Sequence, residues 1–171
     1  MCVISLCTRG ALDGSSRGRS TAALDDNVTR MRTFTLAAIE GTLTLHAEEP
    51  RSSRPYEPWE YVAELAAGSV SARVEVYDHM PERFRQFFAS LAQEWKGWAG
   101  ERHYESLEPM LKLSAKHDGK GFAVFELLLR AGATENFSWS VSQQLSVELG
   151  QLGKVADAAG EFASVERRVV V

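Results

Sequence analysis

Apolar and polar residues alternate from Phe34 onward. Phe34, Leu36 and Ala38 alternate with Thr33, Thr35 and Ala37; Gly41 interrupts, and Leu43 and Leu45 resume. A period of two marks a half-buried strand, so this stretch predicts two short strands, or one strand bent at a glycine bulge. Residues 51–58, with two prolines and two serines, predict a loop. Trp59, Tyr61, Ala63 and Leu65 then alternate with Glu60, Val62 and Glu64. Beyond the turn Ala67-Gly68-Ser69, Val70, Ala72, Val74 and Val76 alternate with Ser71, Arg73, Glu75 and Tyr77. This is the pattern of a hairpin with one wet face, as antiparallel sheets allow.

At Pro81 the period becomes helical. Phe84, Phe87, Phe88, Leu91 and Trp95 line one stripe, Pro81 suits the first turn, and Gly97 and Gly100 end the run. Three strands are predicted next. Residues 110–117 carry Leu111, Leu113 and Ala115 on one face. Residues 122–130 carry Ala123, Phe125, Leu127 and Leu129, with Phe122, Val124 and Leu128 making the other face apolar too. Residues 137–149 carry Trp139, Val141, Leu145 and Val147. Residues 150–163 read as a closing helix through Leu152, Val155, Ala159 and Phe162, weakened by Gly153 and Gly160. Residues 165–171 are a tail that adds an edge strand or frays. No internal repeat and no βαβ alternation is evident. The predicted class is α+β: an antiparallel sheet of about five to six strands with two helices packed on one face.

A length of 171 residues, 44% hydrophobic and 25% charged, suits a single domain, placed at residues 31–164. Residues 1–30 show no sustained alternation and read as a disordered N-terminal extension. Met31, where patterning begins, reads as a start, which would make the preceding stretch a gene-model artefact. The rival reading, a basic arm on Arg9, Arg17 and Arg19, is opposed by Asp13, Asp25 and Asp26. The 19 basic residues against 23 acidic ones leave a net charge of −4, which argues against a nucleic-acid partner and favours a basic protein partner. Cys2 and Cys7 both precede the patterned region, so no disulfide framework is expected. No run has the length of a membrane span, and the expected location is cytoplasmic.

His117-Asp118-Gly119 could suggest a metal hydrolase, yet it falls between two strands, where Asp-Gly is a preferred turn. Asp78, just before the helix, suits a cap or helix-entry contact. His46, His79, His103 and His117 show no metal-ligand spacing. Glu101 and Glu105 form a carboxylate pair, but loop acids are usually solvated. No nucleophile elbow or phosphate cradle is present. The expectation is therefore a non-enzymatic domain with no catalytic residue, cofactor or metal. The richest stretch is WKGWAGERHYESLE at residues 95–108. It reads as a recognition loop between helix and strand, with Trp98, Glu101, Arg102, Tyr104 and Glu105 as partner-binding residues. Trp95 is expected to close the apolar face of the helix, whereas Trp98 suits either a contact or a plug at the sheet end.

The run WKGWAGERHYESLE, followed by LKLSAKHDGKGFAVFELLLR and by Trp139 with VELGQL, resembles an uncharacterised, mostly actinobacterial family of small bacterial domains of unknown function. The family pattern is similar to W-x-G-W-x-G-E, W-x-S-L-E and H-D-G-x-G-H. Tyr104 stands at the aromatic of the second motif, and Phe122 at the final His of the third. The resemblance covers about residues 34–163 and implies an uncharacterised domain with no catalytic residue to carry over. Small α+β domains of this kind resemble, at fold level, toxin-neutralising immunity proteins, which are acidic and non-catalytic. The alternative is a small-ligand-binding domain or enzyme using a helix–sheet cleft near His79, His103 and His117. A homodimer through Phe122, Val124 and Leu128 is a further partner expectation.

Overall fold

A computed structural model describes residues 31–48, 59–133 and 136–164. The expectations for residues 1–30, the loop at 51–58 and the tail at 165–171 lie outside the described residues. Four strands open the fold: β1 (Met31–Ala37), β2 (Thr42–Glu48), β3 (Trp59–Ala67) and β4 (Val70–Asp78). They form an antiparallel sheet in sequence order. Its register sets Phe34 opposite Leu45, Leu45 opposite Ala63 and Ala63 opposite Val74. One apolar row therefore crosses the whole sheet, and every member is buried. Thr33, Thr44, His46, Glu64 and Arg73 lie on the opposite face.

Gly41 ends the β1–β2 turn, where the Ala38 N–H donates to its carbonyl at 2.9 Å. Of the two readings open for this stretch, the chain takes two strands. A Cβ on Gly41 would lie 2.5 Å from the Ala66 carbonyl oxygen and 2.7 Å from Ala67 Cβ. The turn is pressed against the end of β3, and only glycine leaves room.

Helix α1 (Pro81–Gln93) follows, with Pro81 in its first turn and Phe84, Phe87, Phe88 and Leu91 buried. A second four-stranded antiparallel sheet comes next: β5 (Glu101–Glu105), β6 (Leu111–His117), β7 (Phe122–Ala133) and β8 (Asn136–Glu148). A short 3-10 turn at Leu149–Gln151 leads into α2 (Leu152–Ala163). The α+β class stands, but the expected single sheet is two sheets of four strands. Period two assigns faces and not neighbours, so it does not divide strands between sheets, and β5, which offers a single apolar residue, Tyr104, to the core, leaves almost no signal of its own. The chain also repeats an order of four strands and a helix, although the residues themselves show no repeat.

Both sheets turn their apolar faces onto the helix pair. Phe84 of α1 meets Phe34 and Tyr104 edge-on, each at 5.2 Å between ring centroids, and Phe88 reaches Phe34 at 5.0 Å and Phe125 at 6.0 Å. Phe162 of α2 lies 5.2 Å from Trp59 and 5.8 Å from Tyr61. Such ring pairs add about 0.5–1.5 kcal/mol each beyond the area they bury. One continuous core results, with α1 bridging the two sheets.

Polar contacts join the sheets as well. The Glu40 carboxylate accepts from the Ser146 N–H at 2.8 Å and from its hydroxyl at 2.6 Å. That serine hydroxyl holds the Glu40 carboxyl below the ordinary range. The Glu108 N–H donates to the Tyr77 carbonyl at 3.4 Å. No helix among the described residues is long and apolar enough to cross a membrane.

Candidate functional site

Two polar clusters flank α1. The first sits where β4 passes into the helix. Asp78 is 1% exposed, yet its carboxylate has three donors. Oδ1 accepts from the N–H groups of His79 at 2.7 Å and Met80 at 3.1 Å, and Oδ2 accepts from the Tyr104 hydroxyl at 2.7 Å. With its own hydrogen directed at Asp78, the Tyr104 oxygen accepts from the Tyr61 hydroxyl at 2.9 Å. Burial pushes both phenols far above the ordinary tyrosine value, with the Tyr61 phenol and the Asp78 carboxylate adding to the effect at Tyr104. Both stay protonated and work as donors. A buried carboxylate is tolerated when donors surround it. Asp78 takes the helix-entry role expected of it and ties β4 to β5 through Tyr104, a link no local pattern announces.

The second cluster fills the far end of α1. The helix stops at Gln93, so Trp95 leaves the helical stripe and is 50% exposed. Trp98 turns inward and is 9% exposed. The expectation that Trp95 closes the apolar face is corrected here, because a helical projection does not extend past the last helical turn. Trp98 donates from Nε1 to the Ala115 carbonyl at 3.4 Å and meets the His117 ring edge-on at 5.3 Å. The Arg102 guanidinium lies 5.8 Å from the Trp98 ring centroid and pairs with Glu94 at 2.5 Å. Arg102 pairs with Ala115 across the sheet, so it occupies an inward-facing position of β5.

Glycines shape both connecting loops. Gly97 and Gly100 have φ of 144° and 76°, and Gly119 and Gly121 have 71° and 113°, values that L side chains rarely adopt. Through them the WKGWAGE and HDGKG stretches meet at the Trp98–His117 contact. His117 Nδ1 accepts from the Gly119 N–H at 2.9 Å, which leaves the neutral ring's proton on Nε2. Asp118 Oδ1 accepts from the N–H groups of Phe122 at 2.9 Å and Lys120 at 2.7 Å, and these bonds hold its carboxyl below the ordinary range. The HDG stretch thus supports its own turn, residues 118–121. Ser106, 3% exposed, ties the next loop. Its hydroxyl donates to the carbonyls of Glu108 and Leu111 and accepts from the Leu111 N–H.

A family model described as a family of unknown function (DUF6228) matches residues 36–166. The chain belongs to this family. No curated protein matches the chain. Within this DUF6228 domain, the five residues expected to contact a partner fall into two groups. Trp98 and Tyr104 are buried, and their rings are absorbed by the core. Glu101, Arg102 and Glu105 are half-buried along β5. Glu101 pairs with Lys116 at 3.3 Å, and the Ser114 hydroxyl holds its carboxyl below the ordinary range, with Lys116 assisting. The four histidines of the DUF6228 domain keep different company. His46 faces Glu64, His79 meets the Tyr77 ring edge-on, and His117 meets Trp98 edge-on. His103 lines an open groove with Arg83, Gln86, Phe87, Ser90 and Arg102, about 450 Å³ in volume. Phe122, Val124 and Leu128 are half-buried. Among the described residues no group of three His, Cys, Asp or Glu could hold a metal ion.

Proposed function

We propose that the chain is a non-enzymatic, cytoplasmic protein-binding domain, immunity-like in character, whose contact surface lies around the end of α1 and along β5. One observation carries this reading. Trp95 stands half out of the surface beside Glu94, whose carboxylate pairs with Arg102, and Arg102 in turn lies against the Trp98 ring. Tryptophan with neighbouring arginine on a rigid support is the composition of binding hot spots. Trp95 therefore joins Glu101, Arg102 and Glu105 in the contact set, and Trp98 and Tyr104 support it from the core.

The test is capture from source-cell lysate on the full chain, read by mass spectrometry and repeated with two tryptophan variants. A single stoichiometric protein is expected. Trp95→Ala should weaken its capture about tenfold or more while moving unfolding stability by less than about 0.5 kcal/mol. Trp98→Ala should instead cost about 3–5 kcal/mol of stability. Capture unchanged by Trp95→Ala, or a bound metabolite with no protein, would defeat the reading.

A further inference from the structure

We propose that the groove between α1 and β5 receives an extended acidic segment of a protein partner, which adds to the second sheet beside β5. The inference rests on the protein-binding reading and names the chemistry of the partner. β5 is an outer strand, so along one side its backbone pairs with no strand among the described residues. An open row of N–H and C=O groups is a template for one more strand. At two of the other outer strands a backbone group is already taken. Glu40 occupies the Ser146 N–H of β8, and the Glu108 N–H occupies the Tyr77 carbonyl of β4.

What borders β5 decides the chemistry. The groove beside it is lined by Arg83, Gln86, Phe87 and Ser90 of α1 and by Arg102 and His103 of β5. Two arginines, Arg83 and Arg102, border a space whose lining contains no carboxylate. Glu94 shares Arg102, but no carboxylate among the described residues pairs with Arg83. Guanidinium forks match carboxylates in geometry and charge. An added strand would point every second side chain toward α1, so acidic residues at alternate positions would meet Arg83 and Arg102. The net charge of −4 predicts a basic partner, but the local chemistry of this groove is the reverse.

The experiment selects random peptides of about ten residues on the full chain, then maps the selected peptides by amide chemical shifts. Enrichment of Asp and Glu at alternate positions is expected, with the largest shifts at residues 101–105. Arg83→Glu, on an exposed first-turn position that tolerates an acid, should weaken those peptides about tenfold while circular dichroism stays unchanged. Selection of basic or apolar peptides, or shifts confined to the Trp95 turn, would overturn the acidic-strand inference and leave the binding-domain reading standing. No selection at all would also overturn it, with the broader reading then judged by the lysate capture. Doubling of the mass in light scattering, with β5 shifts on dilution, would assign the edge to a second copy of this chain instead.

Discussion

The two halves of the molecule share an order of elements and differ in what they place against the helices. In the first sheet a row runs Phe34, Leu45, Ala63, Val74, apolar from edge to edge. The corresponding rows of the second run Arg102, Ala115, Phe125, Leu145 and Tyr104, Leu113, Leu127, Gln143, with polar side-chain atoms at both β5 ends and at one β8 end. That row of the first half is held by burial, which needs only the right residues on the right face. The second recruits directional contacts at its margins: Arg102 on Glu94 and Trp98, Tyr104 on Asp78, His117 on the Gly119 N–H. Directional contacts need backbone shaped to receive them, which explains the four left-handed glycines in the second half's loops.

The comparison breaks first at Asp78. Asp78→Ala leaves three donors without an acceptor, the Tyr104 hydroxyl buried and the His79 and Met80 N–H groups part-buried, and should destabilise the protein by about 2–4 kcal/mol in urea unfolding. A loss below about 1 kcal/mol would mean that the Asp78 link adds little to the joining of the two halves. Glycines sharpen the contrast next. Gly41→Ala drives a methyl group into the Ala66 carbonyl and should cost about 1–3 kcal/mol. Gly160→Ala in α2 meets nothing within 4 Å and should stabilise by about 0.5–1 kcal/mol, the helix-propensity difference. The smallest effect is electrostatic. Glu40 titrates lower in the folded protein than unfolded, so its contribution is present above the unfolded value and lost as pH falls through the folded one. Wild type should therefore lose stability more steeply than Glu40→Gln as pH drops below about 4.5, and the two curves should run parallel above about pH 6. Parallel curves throughout would show that the Ser146 contact contributes nothing.

Much of the first half was legible from alternation, because the core-facing positions of its strands are apolar almost throughout, Asp78 at the end of β4 excepted. The helix stripe was legible for the same reason as far as Leu91. It failed at Trp95, since periodicity does not say where a helix stops. Strand β5 was hidden because Arg102 faces inward at an apolar position and finds its partners on α1, a distant contact. Two sheets were read as one because period assigns faces and not neighbours. For the candidate site, the 95–108 stretch was found by composition, but which residues reach solvent was not. Trp95 and Trp98 differ in a turn geometry set by Gly97 and Gly100. Asp78 was legible as a helix-entry contact, whereas its bond to Tyr104 joins residues 26 positions apart.

The Asp78 carboxylate also bears on how the protein opens. Its oxygens hold the start of α1 and the middle of β5 at once, so helix entry cannot fray independently of the strand. An opening that frees the His79 and Met80 amides strips Tyr104 of its acceptor and bares a charge to the core. Exchange of those amide hydrogens with solvent is thereby coupled to separation of the two sheets, and the helix start belongs to the same cooperative unfolding unit as the second half.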